Sequence, residues 1–214
     1  MKKRLFLLLL AALLCVVGMA QADGNLLANG GFEEVDASGS PDGWYSSAYR
    51  TQEGYSRFEV TSEKAHSGTY SAKITNGIPN DARYVCLLDV DPESLYRFSG
   101  YVLVEEMEDS GNGANLAIED VYSFSECLFD TDGEWQYVEW YGETGENQTE
   151  VSIGVRVGGY GAESQGAAYF DDISIEKVDA LPSGVIASIW YKVDAPAQAA
   201  YASEESTPQK NKLW

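Results

Sequence analysis

The sequence predicts an all-β protein, a β-sandwich of the jelly-roll type, and three observations support this fold class. Short segments rich in Val, Ile, Tyr and Phe alternate with polar residues, and Gly, Asp, Asn and Ser separate one segment from the next. No long amphipathic helical pattern follows residue 22. Aromatic residues make up 12% of the 214 residues, which is typical of a globular chain and not of a disordered acidic one. The predicted strands are residues 57–61, 70–75, 83–90, 95–104, 114–118, 135–141, 149–157 and 167–177.

Two of these strands show most clearly which side chains face the core. Residues 151–157 alternate strictly, with Val or Ile at every odd position and with Arg156 on the opposite side, among glycines. In residues 95–104 the even positions carry mainly Tyr, Phe and Val, which predicts that they are buried. Tyr101 therefore belongs to the opposite, outward face of its strand.

The first 22 residues have the pattern of a secretory signal peptide. Lys2, Lys3 and Arg4 precede an apolar stretch over residues 5–17, and Ala20-Gln21-Ala22 supplies a small-residue cleavage pattern. The apolar stretch is shorter than a membrane span, and no later segment is long enough for one. We therefore expect a secreted protein, extracellular or in the cell envelope, with no membrane insertion of the mature chain; an uncleaved anchor is the alternative.

The remaining chain divides into one module and a tail. Residues 23–178 contain the predicted strands and form the expected β-sandwich module. Residues 179–214 are an edge segment and a linker-like tail, because 184–193 are mostly apolar and 195–212 have little to bury. Such a tail is either a frayed end or a linker within a larger architecture.

The charge of the chain excludes several classes of partner. It carries 34 Asp and Glu against 14 Lys and Arg, a formal net charge of −20. Nucleic-acid binding and docking on anionic membranes both need clustered basic residues. Neither partner is expected.

The residue types and motifs in the sequence give little support to an enzymatic function. His66 is the single histidine, so a zinc site or a Cys–His nucleophile pair has no basis, and no G-x-S-x-G motif occurs. With this many acids a pair of carboxylates is always available, so their number says nothing about glycoside hydrolysis. Cys86 and Cys127, the cysteines after residue 22, form either a disulfide or two buried thiols.

Five segments, in order along the chain, together resemble a known family. The segments are Asn25–Glu33 with Gly43-Trp44, His66–Ile74, Val90–Tyr101, Gly133–Gln136 and Ala168–Ile175. Their order and spacing are similar to those of CenC-type carbohydrate-binding modules, which are galactose-binding-like jelly rolls found beside cellulases and xylanases. The resemblance covers about residues 24–178.

The resemblance implies a structural calcium ion between the first and last parts of the module. Oxygen ligands are what this cation prefers. Asp172 is the alternative to Asp171, and ordinary solvated acids are the alternative to a metal site. The implied ligands are the Gly31 carbonyl, the Glu33 side chain, the Ser67 and Tyr70 carbonyls and the Asp171 side chain.

Sugar rings stack on aromatic side chains, and their hydroxyl groups pair with carboxylates, amides and guanidinium groups. An acidic chain rich in Tyr and Trp therefore favours a neutral polysaccharide. Tyr101 and Arg156 are the first candidates for a concave binding face, followed by Tyr84, Tyr122 and Trp44. For each of them a packing or plain surface role is the alternative.

The resemblance implies a secreted, non-catalytic module that binds a β-glucan or a xylan-like polymer. An attached or downstream enzyme domain is then a candidate partner. Two other functions stay open: a small jelly-roll glycoside hydrolase, and a cell-envelope adhesion domain without sugar affinity.

Overall fold

The computed structural model describes residues 24–119 and 121–193, and within these ranges the chain forms eleven β-strands and no helix. The predicted signal peptide and most of the predicted tail lie outside the described residues. The strands are β1 Tyr45–Ala48, β2 Ser56–Thr61, β3 Ser71–Asn80, β4 Ala82–Asp89, β5 Leu95–Glu105, β6 Ala114–Ile118, β7 Ser123–Phe124, β8 Gln136–Glu143, β9 Glu150–Val157, β10 Ser164–Val178 and β11 Ser188–Ile189.

The strands form two sheets that pack face to face, which confirms the predicted β-sandwich jelly roll. One sheet has the order β1-β4-β9-β6-β7, and the other has the order β11-β8-β5-β10-β3-β2. Neighbouring strands are antiparallel except β11, which runs parallel to β8. All eight predicted strands are present, with ends that differ by a few residues. The short strands β1 and β7 were not predicted.

Alternating side chains from the inner faces of both sheets fill the core. Ile153 and Val155 of β9, Phe98 of β5 and Phe170 of β10 belong to one core cluster, and all four side chains are fully buried. The even positions of β5 are buried in this core, as predicted. Their burial removes apolar surface from water, which is the main favourable contribution to folding.

The N-terminal loop is tied to β10 and to the segment before β1. Asn25 accepts hydrogen bonds from the backbone N–H groups of Leu27 and Ile175, both at 3.0 Å. A Cβ at Gly30 would lie 2.0 Å from the Ile173 carbonyl oxygen, so only glycine allows this close approach. The two ends of the module, which carry two of the family-like segments, therefore meet in space.

The segment after β10 returns to the sandwich. Strand β11 pairs with Gly142 and Glu143 at the edge of the six-stranded sheet. The following residue, Trp190, is 1% exposed and lies in the core cluster. Its ring occupies the space where Gly142 lacks a side chain, since a Cβ there would lie 1.9 Å from the indole. Residues up to Trp190 thus pack with the sandwich, beyond the boundary predicted at residue 178.

Both described cysteines are free thiols. Cys86 is buried in the core, where burial raises its pKa to about 11, and burial also raises the pKa of the half-buried Cys127. A thiol that stays protonated at neutral pH is a poor nucleophile.

No helix in the described part of the chain has the length and apolarity required to cross a membrane.

Candidate functional site

The outer face of the five-stranded sheet carries a row of directly opposed residues that runs across all five strands. The row is Tyr45, Val85, Gly154, Ala117 and Phe124. Opposed residues on antiparallel strands point to the same side, and four inter-strand steps span about 19 Å. The row has aromatic residues at both ends and Val, Gly and Ala between them. Val85 and Ala117 are 1% and 0% exposed, so the middle of the row is the floor of the face and is covered by other side chains.

A buried ion pair lies beside this row. The Arg156 guanidinium donates two hydrogen bonds to Asp81, from Nε to Oδ1 at 2.7 Å and from Nη2 to Oδ2 at 2.5 Å. The side chains are only 4% and 8% exposed. Burial acts to lower the pKa of Arg156, but the hydrogen bond and attraction of Asp81 outweigh it and raise that pKa. The Tyr160 ring, 4.1 Å from the guanidinium carbon, covers the pair. Arg156 is therefore held rigidly as a cation.

Glu119 lies at the centre of the face. Its Oε2 is 2.7 Å from Nε of Arg83, and its Oε1 is 3.6 Å from Nη1 of Arg156. A Cβ at Gly154 would approach Oε1 to 3.0 Å, so the glycine makes space for the carboxylate. Burial raises the pKa of Glu119, and the attraction of Arg156 and Arg83 offsets part of that shift. Together with Asp81, the two carboxylates balance the two guanidinium groups in formal charge.

Four buried polar atoms of this cluster have no hydrogen-bond partner in the described protein. They are Arg83 Nε, Asn115 Oδ1, Glu119 Oε1 and Arg156 Nη1. A buried polar atom without a partner costs about 1–3 kcal/mol, so such atoms are commonly paired with a water or a ligand group. The cluster therefore holds two donors and two acceptors whose hydrogen-bonding capacity is unused.

An aromatic group borders the cluster. Tyr122 is 73% exposed, and its ring centroid lies 5.1 Å from that of Phe124 and 4.9 Å from that of Tyr160. The Tyr160 hydroxyl donates to the Ile118 carbonyl oxygen at 2.6 Å, which fixes the Tyr160 ring. Tyr122 thus projects from a rigid base. We call the row, the charged cluster and these rings together the Tyr122 face.

A cleft of about 360 Å³ continues the Tyr122 face toward the C-terminal segment. Its wall on that side is formed by Tyr191, which packs over Gly145. Leu87, 56% exposed, lines the same cleft. The cleft therefore adds Leu87 and Tyr191 to one end of the Tyr122 face.

The structure brings together only two of the predicted ligand-binding residues, Arg156 and Tyr122. Tyr84 and Trp44 are 3% and 6% exposed and belong to the core. The Trp44 indole N–H donates to the Asn29 carbonyl oxygen at 3.0 Å, and Tyr84 packs against Phe58. This corrects the expectation that these two rings contact a ligand, because both of them fill the space between the sheets.

Tyr101 lies on the other side of the molecule. It belongs to β5, on the outer face of the six-stranded sheet, whereas Arg156 lies on the outer face of the five-stranded sheet. The prediction of one concave face containing both is therefore wrong. Alternation along a strand separates outward from inward residues, but it carries no information on which sheet the strand joins. Asp81, Arg83, Asn115, Glu119 and Tyr160 were not predicted, and only sheet pairing unites them.

The residues predicted to bind calcium gather at one corner of the sandwich, around Asp171. This side chain is fully buried, and its Oδ2 accepts hydrogen bonds from the backbone N–H groups of His66 and Ser67 at 2.7 and 3.1 Å. Burial raises its pKa to about 6, although the bond from Ser67 acts in the opposite direction. No Lys or Arg among the described residues pairs with Asp171. A buried carboxylate without a cationic partner is a position where a cation fits.

The other predicted metal ligands approach the same point. A Cβ at Gly31 would lie 3.8 Å from Oδ1 of both Asp171 and Asp172. Glu33 Oε1 accepts the backbone N–H of Tyr70 at 2.9 Å. In the described ranges, no three His, Cys, Asp or Glu side chains form a metal-binding group. A cation here would depend on two carboxylates and on backbone carbonyl oxygens.

Comparisons with known proteins bear on the fold. No protein-family model matches the chain, and no curated protein matches it. Among solved structures, the carbohydrate-binding module TmCBM61 in complex with β-1,4-galactotriose is similar, with a TM-score of 0.51 and 19% identity. The match covers 72% of this chain and 99% of that one. This chain has the fold of a carbohydrate-binding module.

A second similar structure is the enzymatically active domain of tailspike protein 4 from bacteriophage CBA120. Its TM-score is 0.51 at 10% identity, over 72% of this chain. The match covers only 21% of the tailspike chain. At these identities both comparisons concern the fold alone.

Proposed function

We propose that the protein is a secreted, non-catalytic carbohydrate-binding module of the CenC type whose ligand is a neutral polysaccharide, a β-glucan or a xylan-like polymer. The observation that carries the proposal is the Tyr122 face. There an exposed, firmly supported ring lies beside a charge-balanced cluster with buried polar atoms that lack partners. Reversible binding on this face would hold an attached enzyme, or the cell envelope, against the polymer.

Binding would combine stacking with hydrogen bonds. The apolar face of a sugar ring packs on Tyr122, as such faces do on aromatic side chains. Hydroxyl groups then pair with Arg83 and Glu119, whose side chains are 21% and 14% exposed. Because the cluster has no net formal charge and the whole chain carries −20, a polyanion would be repelled.

The carboxylates of the face favour binding over hydrolysis. A glycosidase requires one carboxyl group that donates a proton and a second that acts as base or nucleophile. Asp81 accepts two guanidinium hydrogen bonds and the backbone N–H of Tyr160, at 3.1 Å. With these acceptor sites filled, Asp81 is suited to hold Arg156 in position and not to transfer a proton.

We expect the Tyr122→Ala substitution to weaken polysaccharide binding by roughly fivefold, since a lost aromatic stack is worth on the order of 1 kcal/mol. Affinity electrophoresis against soluble β-glucan, xylan and β-1,4-galactan measures this loss. The galactan is included because TmCBM61 is in complex with a galactotriose. Tyr122→Phe keeps the ring and should bind as the native protein does. Ile186→Ala, at an exposed position that is not among the residues of the face, is a second control.

Three outcomes of the electrophoresis distinguish the candidate functions. Retardation by a neutral glycan but not by polygalacturonate supports the proposal. Release of reducing sugar during incubation would support a glycoside hydrolase instead. If no glycan retards the native protein, the binding-module proposal fails and the adhesion-domain alternative gains support.

We further propose that a structural calcium ion binds at the Asp171 corner. The Glu33 and Asp171 carboxylates would hold it together with the carbonyl groups of Gly31, Ser67 and Tyr70. The buried Asp171 carboxyl group, which no Lys or Arg of the described residues neutralises, supports this assignment. The ion would join the N-terminal loop, the loop before β3 and strand β10, and would not contact the sugar.

Calcium at a hundred times its dissociation constant should stabilise the fold by about 2.7 kcal/mol. For a protein of this size that raises the melting temperature by roughly 5–10 °C relative to excess chelator. Differential scanning calorimetry measures the shift, and Asp171→Asn should remove the response to calcium. Equal melting temperatures with calcium and with chelator would contradict the assignment.

A further inference from the structure

The outer face of the six-stranded sheet carries a second group of aromatic rings. Tyr101 of β5 and Tyr137 of β8 are directly opposed, with ring centroids 5.2 Å apart. The His66 ring stacks on Tyr101 at 3.5 Å and meets Trp135 edge-on at 5.9 Å. We call these four residues the Tyr137 face. It lies on the opposite side of the sandwich from the Tyr122 face.

The rings of the Tyr137 face are held in place while part of their surface stays open. Tyr137 is 46% exposed, and its hydroxyl donates to Glu139 Oε2 at 3.2 Å. His66 Nδ1 lies 2.6 Å from Asp172 Oδ2, which orients the imidazole under Tyr101. Rings that are already ordered lose little conformational freedom when a ligand stacks on them. The face is therefore prepared for a flat apolar ligand surface.

Polar groups next to the rings repeat the pattern of the Tyr122 face. Arg97 donates to Glu176 Oε2 at 2.8 Å and lies 3.8 Å from Glu139 Oε2. Its Nε is buried and has no hydrogen-bond partner in the described protein. Two carboxylates next to one guanidinium leave an excess of negative charge. An anionic partner is disfavoured here, and a neutral ligand with hydroxyl groups is suited to the free donor.

We propose that the Tyr137 face is a second carbohydrate-binding surface for the same class of neutral glycan, so that one module binds two polysaccharide chains. Sugar rings would stack on Tyr137 and Trp135, and hydroxyl groups would pair with the Arg97 and Glu139 side chains, which are 31% and 39% exposed. The two sheets of a sandwich are about 10 Å apart, and their outer faces point away from each other. A straight polymer cannot lie on both at once. Two occupied faces therefore join separate chains, and binding to an insoluble polymer gains from this bivalency. The inference rests on the proposed function of the Tyr122 face.

The number of bound oligosaccharides tests this inference. Isothermal titration calorimetry with a short oligosaccharide of the polymer that retards the protein should give two sites per native chain. Tyr122→Ala and Tyr137→Ala should each leave one site at native affinity and weaken the other by roughly fivefold, and the double substitution should weaken both sites. With the long polymer, the native protein should produce turbidity from crosslinking, and each single variant should produce less. Tyr137→Phe keeps the ring and should behave as the native protein, and an unchanged melting temperature shows that each variant folds.

The possible failures are distinguishable. If the native chain binds one oligosaccharide and Tyr137→Ala still binds one, the second surface is refuted while the proposed function stands. If Tyr137→Ala removes all binding and Tyr122→Ala removes none, the single site lies on the Tyr137 face and the two-site inference is again refuted. If the native chain binds no oligosaccharide, the proposed function fails and the inference fails with it.

Discussion

Replacing Trp190 with alanine is expected to lower the free energy of unfolding by about 3–5 kcal/mol, the usual cost of truncating a large core aromatic side chain. Trp190 is 1% exposed. Its ring centroid lies 6.3 Å from that of Tyr96, 6.5 Å from that of Phe98 and 5.3 Å from that of Trp140. The backbone at Gly142 has no side chain with which to close the cavity. Chemical denaturation followed by tryptophan fluorescence and circular dichroism measures the loss.

Two controls separate packing from a general effect of the C-terminal segment. Ile186 lies in the same segment but is 88% exposed, so Ile186→Ala should change stability by less than about 0.5 kcal/mol. Trp190→Phe should lower the free energy of unfolding less than Trp190→Ala does, because the Phe ring fills part of the space. Loss of the buried indole N–H should add no cost, since it has no hydrogen-bond partner. A chain ending at residue 178 should be at least as unstable as Trp190→Ala. If that shortened chain unfolds at the same denaturant concentration as the native protein, the packing role of Trp190 is wrong.

The Asp81→Asn substitution should destabilise the protein by about 3–5 kcal/mol, because it leaves Arg156 buried without its main counter-charge. The nearest other carboxylate, Glu119, is 3.6 Å away. The substitution also weakens the bond that Asp81 accepts from the Tyr160 backbone, so the base of Tyr122 should loosen. We therefore expect weaker glycan binding together with lower stability.

A double-mutant cycle isolates the ion pair. Arg156→Met alone leaves Asp81 as an unpaired buried anion and should also be strongly destabilising. The double variant with Asp81→Leu and Arg156→Met removes both charges and should be more stable than either Asp81→Leu or Arg156→Met alone. Strictly additive effects in urea denaturation would show that the two side chains do not interact.

The period-two pattern explains why most of the fold was predictable. In β9 the odd positions are buried in the core and the even positions face outward, as the alternation of Val and Ile with Ser, Gly and Arg predicts. Strands β1 and β7 were missed because four residues and two residues are too short to show a period. Their membership in a sheet depends on pairing with β4 and β6.

The candidate site was less predictable, and the reason is visible in individual residues. Tyr84 and Arg83 are neighbours in sequence, but the Tyr84 side chain lies in the core and the Arg83 side chain lies on the Tyr122 face. Trp44 follows a turn, where exposure and burial are equally compatible with the pattern. Its burial is decided by contact with Phe32, at 5.1 Å between ring centroids. Contacts of this kind join residues that no local pattern relates.

By itself, the sequence determined the fold class, most strands and the inward or outward direction of their side chains, because local alternation reflects one buried face per strand. The convergence of the 31–33, 67–70 and 171–172 segments was expected only from the family resemblance. Only the tertiary structure decided that Tyr101 and Arg156 lie on opposite sides, that Trp190 completes the core and that Glu119 links Arg83 to Arg156. These features follow from the order of strands in the two sheets. That order is set by long-range pairing and packing, which leave no periodic trace in the chain.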